Sequence, residues 1–476
     1  MSTVSLVGLD GSTREISDAE VSELADGVRG RMVLPTDDDF DQVRKVWNGM
    51  IDRRPGLIVQ CSGPADVVVA VNFAAKNEVL LSVRGGGHSW PGHSVCEGGL
   101  MIDLSGMRGV RVDLERNTVR AQGGALWGDV DHETQAFALA TPGGEVSDTG
   151  IGGLTVGGGT QTWLARKYGG AADNLLSADV VTADGSLLTA SDRKNEDLFW
   201  AIRGGGGNFG VVTSFEFKLH PVGPLVLSGP AMFTWDRARE VTQFYLQFVE
   251  DLPDELTSAL YYWTAPPAPF IPENLHDQPI VLIAVCYAGP AEQGEAVVAP
   301  IRALKPAADL MGPMPYKALQ SMFDPLLPKG IYSYAKSDYF NEIGTDALQV
   351  MLEWGGRKPA NLSLTHLNHY GGAISRVPND ATPFAHRDAK FAFSMDAIWD
   401  DPAETEESVD WAKGFWEAMR QFSPRGPYVN FMDADEPDDR IRESYGENFD
   451  RLAAIKARFD PNNLFRVNQN IRPAGP

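Results

Sequence analysis

The sequence predicts an α+β protein of two domains, and three observations carry that expectation. Glycine clusters three times between Gly85 and Gly210, each time beside a strand-like run. After His220-Pro221-Val222-Gly223-Pro224 the chain changes character, with fewer glycines and more aromatics and prolines. A length of 476 residues allows two or more domains and a large core. The expected layout is an N-terminal extension over 1–50, a glycine-rich domain over 51–222, a second domain over 223–426 and a C-terminal segment over 427–476.

The elements follow in order. The polar, acidic extension holds helix candidates at Asp18 to Ala25 and at Asp38 to Trp47. Leu57 to Cys61 reads as a strand. Gly63-Pro64-Ala65-Asp66 then starts a helix running to about Lys76, because proline is tolerated in the first turn and aspartate favours the positive end. Val79 to Val83 is the next strand and completes a β-α-β unit. Met101 to Leu104 is a short strand. Val110 to Val112 and Thr118 to Arg120 form a hairpin, as do the two halves of Ala178 to Ala190 about Asp184-Gly185. Leu164 to Tyr168 is a short helix, and the alternating strand Val211 to Leu219 ends the glycine-rich domain. In the second domain Met232 to Trp235, Ile280 to Tyr287 and Phe391 to Trp399 read as strands. Arg237 to Val249 and Glu404 to Phe422 read as amphipathic helices.

The stretch Val83 to His93, V-R-G-G-G-H-S-W-P-G-H, is the centre of the chain. Gly85, Gly86 and Gly87 leave no Cβ between backbone and ligand, and successive free N–H groups in such a loop make a concave anion site. His88 closes the loop. It suits a pyrophosphate whose attached ring lies beside an imidazole.

Composition narrows the partners. The net charge of −23 argues against nucleic acid and against anionic membrane. No run approaches ~18 apolar residues, so no membrane span is expected. Met1-Ser2-Thr3-Val4 lacks a basic region followed by an apolar one, so no signal peptide is expected, and a cytoplasmic location is the default. Cys61, Cys96 and Cys286 are too widely spaced for a metal site or a disulfide framework. The acidic runs Asp37-Asp38-Asp39 and Asp433 to Asp439 lack calcium-loop spacing and read as solvated loops; no metal is expected.

Several segments agree with one family: R-G-G-G-H, T-P-G-G at Thr141 to Gly144, G-I-G-G-L-T-V-G-G-G at Gly150 to Gly159, K-Y-G at Lys167 to Gly169 with Asp173-Asn174, and R-G-G-G-G-N-F-G at Arg203 to Gly210. The tail adds Y-V-N at Tyr428 to Asn430, D-P-N-N-L-F at Asp460 to Phe465 and N-Q-N-I at Asn468 to Ile471. In this order and spacing they resemble the vanillyl-alcohol oxidase superfamily, in particular its berberine-bridge-enzyme-like branch of FAD-linked oxidases.

The resemblance implies a two-domain FAD-binding fold of the vanillyl-alcohol oxidase and p-cresol methylhydroxylase type, with an antiparallel-sheet substrate domain and a C-terminal segment that returns to the FAD-binding domain. It implies FAD as cofactor, bonded covalently through His88 at the flavin 8α-methyl carbon. It places Arg84, Gly85, Gly86, Gly87 and Ser89 about the cofactor, with Thr141, Pro142, Gly143, Thr149, Gly150, Gly152, Gly153, Thr155, Gly158 and Gly159. Asp173, Asn174, Gly210, Val212, Asn430 and Asn468 complete that set. The second, cysteine link of many relatives would fall at Val146, so attachment at His88 alone is expected.

The usual catalytic bases are also absent, since their positions hold Phe431 and Arg376. Tyr370 and Tyr428 stand as candidate bases, with Arg376 as a cation that lowers a phenol's pKa. His369 and His386 are weaker candidates. Thr149 occupies the position that gates an oxygen pocket in relatives, and its valine-like shape predicts an open pocket. The expected activity is hydride removal from an alcohol or amine carbon of a small molecule (a secondary metabolite, an alcohol or a sugar), with molecular oxygen reoxidising the flavin to give hydrogen peroxide. A dehydrogenase of the same fold with another acceptor, and a flavin-binding protein without turnover, are the alternatives. The sequence leaves oligomeric state and substrate identity open.

Overall fold

The computed structural model describes residues 3–269, 271–423 and 425–475. Met1 and Ser2, where the reading of the amino terminus begins, lie outside them. Leu57–Gln60, Leu100–Asp103 and Leu81–Arg84 lie side by side in parallel. Arg31–Val33 adds an antiparallel strand at the edge beside Leu57–Gln60. The crossover is helix Pro64–Lys76, with Pro64 in its first turn, where the missing N–H has no helical partner to lose. Its Val67, Ala70, Val71 and Ala74 recur on one face and are buried with the sheet.

A second sheet is wholly antiparallel, in the order Leu187–Ser191, Leu175–Val181, Val211–Lys218, Thr118–Gln122, Val110–Asp113. Both expected hairpins are in it. Its core joins Trp127, Leu198, Phe215 and Phe217 to Tyr445, Leu452, Ile455 and Ile471 from the carboxyl-terminal segment. A buried ammonium fastens that segment. Lys456 Nζ donates to Asp460 at 2.6 Å, to Asn208 O at 2.7 Å and to Phe465 O at 2.8 Å. All three of its donors are thus used, the condition for burying such a charge.

The third sheet is also antiparallel, in the order Ala308–Asp309, Leu225–Thr234, Pro279–Tyr287, Leu256–Thr264, Leu364–His369, Phe391–Trp399, Tyr332–Phe340, with Gly312–Pro315 also on Leu225–Thr234. Five of these strands, Leu256–Thr264, Ala308–Asp309, Gly312–Pro315, Tyr332–Phe340 and Leu364–His369, are not among those the sequence predicts. The period of two decides the role of each face. Leu260, Tyr262, Leu367, Phe393 and Met395 pack beneath helices Ala238–Phe248, Thr345–Gly355 and Thr405–Arg420. Tyr261, His366, Asn368, Ser394 and Asp396 alternate with them and so stand on the opposite face.

Two expectations change. The helix over Asp38 to Trp47 shrinks to Phe40–Val43. Trp47 N instead donates to Gly87 O at 3.0 Å and its Nε1 to Leu327 O at 3.0 Å, so tertiary bonds outweigh helix continuation. The run Asp433 to Asp439 is a clamp as well as a loop. Lys336 Nζ reaches Asp435 at 2.8 Å and the buried Glu436 at 2.7 Å. Arg440 bonds Asp338 at 2.6 Å with both side chains buried.

Candidate functional site

The glycine loop follows the parallel strand Leu81–Arg84 and abuts the turn before Gly150. A Cβ on Gly86 would lie 2.3 Å from Gly150 N, so neither residue tolerates a side chain. The Arg84 guanidinium does not extend to a ligand. It bonds buried Asp103 at 3.0 Å through Nε and the carbonyls of Val43 and Lys45 through Nη1, and so anchors the loop's root. Ser89 Oγ accepts from His93 N at 3.0 Å and shapes the turn.

His88 is held on two sides. Its ring stacks on Trp47 with centroids 4.8 Å apart, and its Nε2 lies 2.6 Å from Asp148 Oδ1. An ionised carboxylate only accepts, so Nε2 carries a proton, and in the neutral ring the lone pair falls on Nδ1. Neither Trp47 nor Asp148 stood out in the sequence.

The remaining cradle residues divide into two groups. Pro142 is buried, and Gly143 lies so close to Trp127 that a Cβ would meet its ring at 2.3 Å. Gly158 and Gly159 have φ of +107° and +60°, which glycine adopts without strain. A Cβ on Gly152 would lie 3.3 Å from Gly123 O, and one on Gly85 would lie 3.2 Å from the same atom. Gly123 therefore belongs to the cradle, and the Gly123-Gly124 pair at a strand end was the overlooked signal. Asn430 Nδ2 bonds Leu154 O at 3.2 Å, and Asn468 Nδ2 bonds Phe465 O at 3.1 Å. Thr149 O accepts from Trp127 N at 2.9 Å.

Asp173, Asn174, Gly210 and Val212 are committed to the protein itself. Asp173 pairs with buried Arg387 at 2.6 Å, and Asn174 Oδ1 lies 2.6 Å from His220 Nε2. A Cβ on Gly210 would strike Val181 O, and Val212 pairs with Val180.

A cofactor with phosphates and polar ring atoms fits what the protein leaves open. Thr141 Oγ1, Thr155 Oγ1 and Asn468 Oδ1 are buried with no partner among the described residues, a cost that a polar ligand would remove. A Cβ on Gly153 meets nothing within 4 Å, so protein packing does not demand glycine there.

The catalytic expectation needs correction. Arg376 is exposed and bonds Asp254 at 2.6 Å, so it is not the cation that lowers a buried phenol. Burial pushes the Tyr370 and Tyr428 phenols up instead. Tyr370 Oη lies 2.9 Å from Thr160 Oγ1, and Tyr428 Oη accepts from Asn430 Nδ2 at 3.0 Å. His369 and His386 are both depressed by burial, His386 to about 4. His369 lies beside Arg166, and His386 Nε2 lies 3.1 Å from Glu443 O.

A line of rings connects the His88 loop to the third sheet. Trp47 meets Trp90 at 5.5 Å, Trp90 meets Phe431 at 6.0 Å, and Phe431 meets both Tyr428 at 5.3 Å and His366 at 5.9 Å. Near His366, burial raises the Glu145 carboxyl to about 7, while the imidazole opposes that rise. Among the described residues, no group of three or more His, Cys, Asp or Glu is placed to hold a metal, and no helix is long and apolar enough to cross a membrane.

Comparison with known proteins agrees with this geometry. Residues 55–191 match the family described as FAD binding domain, and residues 427–472 match the one described as berberine and berberine like. A FAD-linked oxidoreductase of Dictyostelium discoideum is 30% identical over 459 residues, covering 95% of this chain and 97% of its own. The (R)-6-hydroxynicotine oxidase of Paenarthrobacter nicotinovorans is 29% identical, over 94% of this chain and 98% of its own. The crystal structure of 6-hydroxy-D-nicotine oxidase from Arthrobacter nicotinovorans superimposes with a TM-score of 0.84 at 27% identity, covering 94% of this chain and 98% of that one. With the glycine cradle, the buried unpartnered hydroxyls and these matches along nearly its whole length, the chain belongs to the berberine-bridge-enzyme-like family of FAD-linked oxidoreductases.

Proposed function

We propose that the protein is an oxidase that takes a hydride from an alcohol or amine carbon of a small molecule, with FAD attached at His88 alone and molecular oxygen as the acceptor. FAD supplies the two-electron chemistry when bound. The observation that carries the reading is the posture of His88. Asp148 holds Nε2–H and Trp47 holds the ring plane, which leaves the Nδ1 lone pair as the nucleophile at the mouth of the glycine cradle. Gly85–Gly87 and Gly150–Gly153 offer backbone for the phosphates, with Thr141, Thr155 and Asn468 for polar atoms. The rings of Trp90, Phe431 and Tyr428 exclude water on the substrate side.

Single attachment rests on the cysteines. All three are buried, and burial pushes each thiol up, away from the reactive thiolate. Denatured holoprotein should keep its yellow flavin, a tryptic peptide containing His88 should carry the FAD mass, and alkylation should then label Cys61, Cys96 and Cys286. Flavin released entirely by acid precipitation would sink the attachment claim. A relative named for 6-hydroxynicotine supports a small molecule as substrate. The activity itself is tested by anaerobic bleaching of the flavin with a panel of both classes, then by peroxide release on admitting air.

A further inference from the structure

The face of the third sheet that carries Tyr261 holds an acid–base pair that no residue assigned so far uses. His366 Nε2 lies 2.9 Å from Asp396 Oδ2, and both side chains are buried. Asp396 is the only charged residue in Phe391–Trp399, and it also accepts from Ser394 Oγ. A carboxylate so placed fixes the tautomer. Nε2 carries the proton, and the lone pair stands on Nδ1.

That lone pair faces a polar pair, not the core. Asn368 Nδ2 donates to His366 Nδ1 at 2.6 Å and to Gln161 Oε1 at 3.1 Å. If another donor takes Nδ1, the amide keeps Gln161. Gln161 Nε2 is buried, has no close hydrogen-bond partner among the described residues and lies near the Tyr370 phenol, so a ligand could take it as a second donor. The ring of His366 lies 5.7 Å from that of Tyr261 at 25° and 5.9 Å from Phe431 edge to face. Phe431 is the same ring that leads back through Trp90 and Trp47 to His88. These packed rings border the imidazole on the side that leads back to the cofactor cradle, so a flat, ring-bearing molecule that displaces Asn368 would lie against them.

We infer that His366, oriented by Asp396, is the catalytic proton acceptor of this protein, and that its substrate is a flat, ring-bearing alcohol whose hydroxyl replaces Asn368 at Nδ1. The inference rests on the oxidase reading. The hydroxyl proton passes to Nδ1, the C–O bond becomes a carbonyl, and the C–H hydrogen leaves with its electron pair for FAD, which is reduced. The imidazolium that forms is neutralised by Asp396. Among the described residues, Glu145 lies within electrostatic reach of His366 and the Tyr261 phenol within reach of Asp396. Asp396 is a positioning residue, since among the described residues its carboxylate bonds His366 and Ser394 Oγ.

The test uses oxidised holoprotein and ligands that bind without turnover. Toluene, 4-methylphenol, phenol and 4-chlorophenol are titrated while the flavin absorbance is followed. Phenol should bind about tenfold more tightly than toluene, the worth of one hydrogen bond. Affinity should rise with phenol acidity, because the hydroxyl donates to a lone pair. In His366→Phe the advantage over toluene should vanish. Should that variant fail to fold with Asp396 unpaired, Asp396→Asn serves instead. Its amide lets Nδ1 carry the proton, so the dependence on acidity should flatten or invert, and Asp396→Glu should restore it. Benzyl alcohol bleaching in Asp396→Asn should be about 10²–10⁴-fold slower, as for a lost general base, with the acid limb of its pH profile displaced. Equal binding of phenol and toluene by the parent, or affinity independent of acidity, overturns the inference. If alcohols bleach the flavin while these binding results are flat, the oxidase reading stands and only this inference falls. If the phenols bind as expected and no alcohol or amine bleaches the flavin, both fall.

Discussion

Gly86 and Gly150 meet backbone to backbone: a Cβ on either would stand 2.3 Å from the other's nitrogen. The two residues are 64 positions apart and seat the His88 loop on the turn that carries Asp148. No side-chain rotation relieves a clash with main chain. Gly86→Ala should therefore destabilise the protein by about 3 kcal/mol and lower flavin content with it. A melting temperature equal to the parent's would show that the two loops do not pack as described.

Gly153 makes the opposite case. Its added Cβ meets nothing, and it lies in helix Ile151–Val156, where alanine is the better helix former. Gly153→Ala should melt at or slightly above the parent's temperature as apoprotein, yet bind FAD more weakly. The comparison is made in a His88→Ala background, so that affinity and not covalent trapping is read. Unchanged FAD affinity would mean that the cofactor does not pass over Gly153.

Asp148 is the partner of His88, and its carboxylate is half-exposed, so truncation costs the fold little. Asp148→Ala should fold and bind FAD while the covalently held fraction forms about tenfold more slowly, since the imidazole loses one hydrogen bond to a charge. The ratio of denaturation-resistant to total flavin, followed after adding FAD to apoprotein, reads this directly. Parental kinetics would remove Asp148 from the attachment chemistry.

Asp131 gives a pH dependence. It is fully buried, and burial raises its carboxyl from the usual range to about 7, against a hydrogen bond from Gln320 and the charge of Lys317. The folded protein therefore keeps a proton that the unfolded chain releases. Its cost is absent below about pH 4, grows as pH rises toward 7, and is complete above that. Asp131→Asn keeps the volume and removes the titration. It should raise the melting temperature at pH 8, by an amount on the order of a few kcal/mol in stability, and change it little at pH 4. Equal effects at both pH values would contradict the burial of a titrating acid.

The cradle was legible because its chemistry is written in glycine. Gly85–Gly87 and Gly150–Gly159 have no Cβ, and the order of such stretches survives in the sequence whatever the fold. His88 was legible for the same reason, closing one of them. His366 and Asp396 were not. They come from strands Leu364–His369 and Phe391–Trp399, and only the register that places Leu364 opposite Asp396 brings them together. One clue was present, since Asp396 interrupts an otherwise apolar and small-residue strand, F-A-F-S-M-D-A-I-W. Trp47 was misread because a helical pattern is local, while its bonds to Gly87 and Leu327 are not. Arg376 was misplaced because proximity to Tyr370 in sequence says nothing about direction across a turn that begins with Gly371 and Gly372 at positive φ.

Thr149 carries the last prediction, on the acceptor. Its main chain is fixed at both ends, with N donating to Val146 O at 3.1 Å and O accepting from Trp127 N at 2.9 Å. It directly precedes Gly150, and so it lies against the His88 loop through the Gly86 contact. Gly144 borders it: a Cβ on that glycine would lie 3.4 Å from Thr149 Cβ. A residue branched at Cβ has few ways to turn in such a frame. Isoleucine keeps the branch, replaces the hydroxyl with apolar volume and reaches one carbon further, so the added bulk must enter the space beside the cradle. Thr149→Ile should therefore leave anaerobic reduction of the flavin near the parental rate and slow its reoxidation. The measurement is stopped-flow mixing of dithionite-reduced protein with aerated buffer, with peroxide quantified afterwards. Rapid reoxidation in the parent and a marked slowing in Thr149→Ile are the expected results. Sluggish reoxidation of the parent, with brisk turnover on an artificial dye, would instead assign the protein a non-oxygen acceptor.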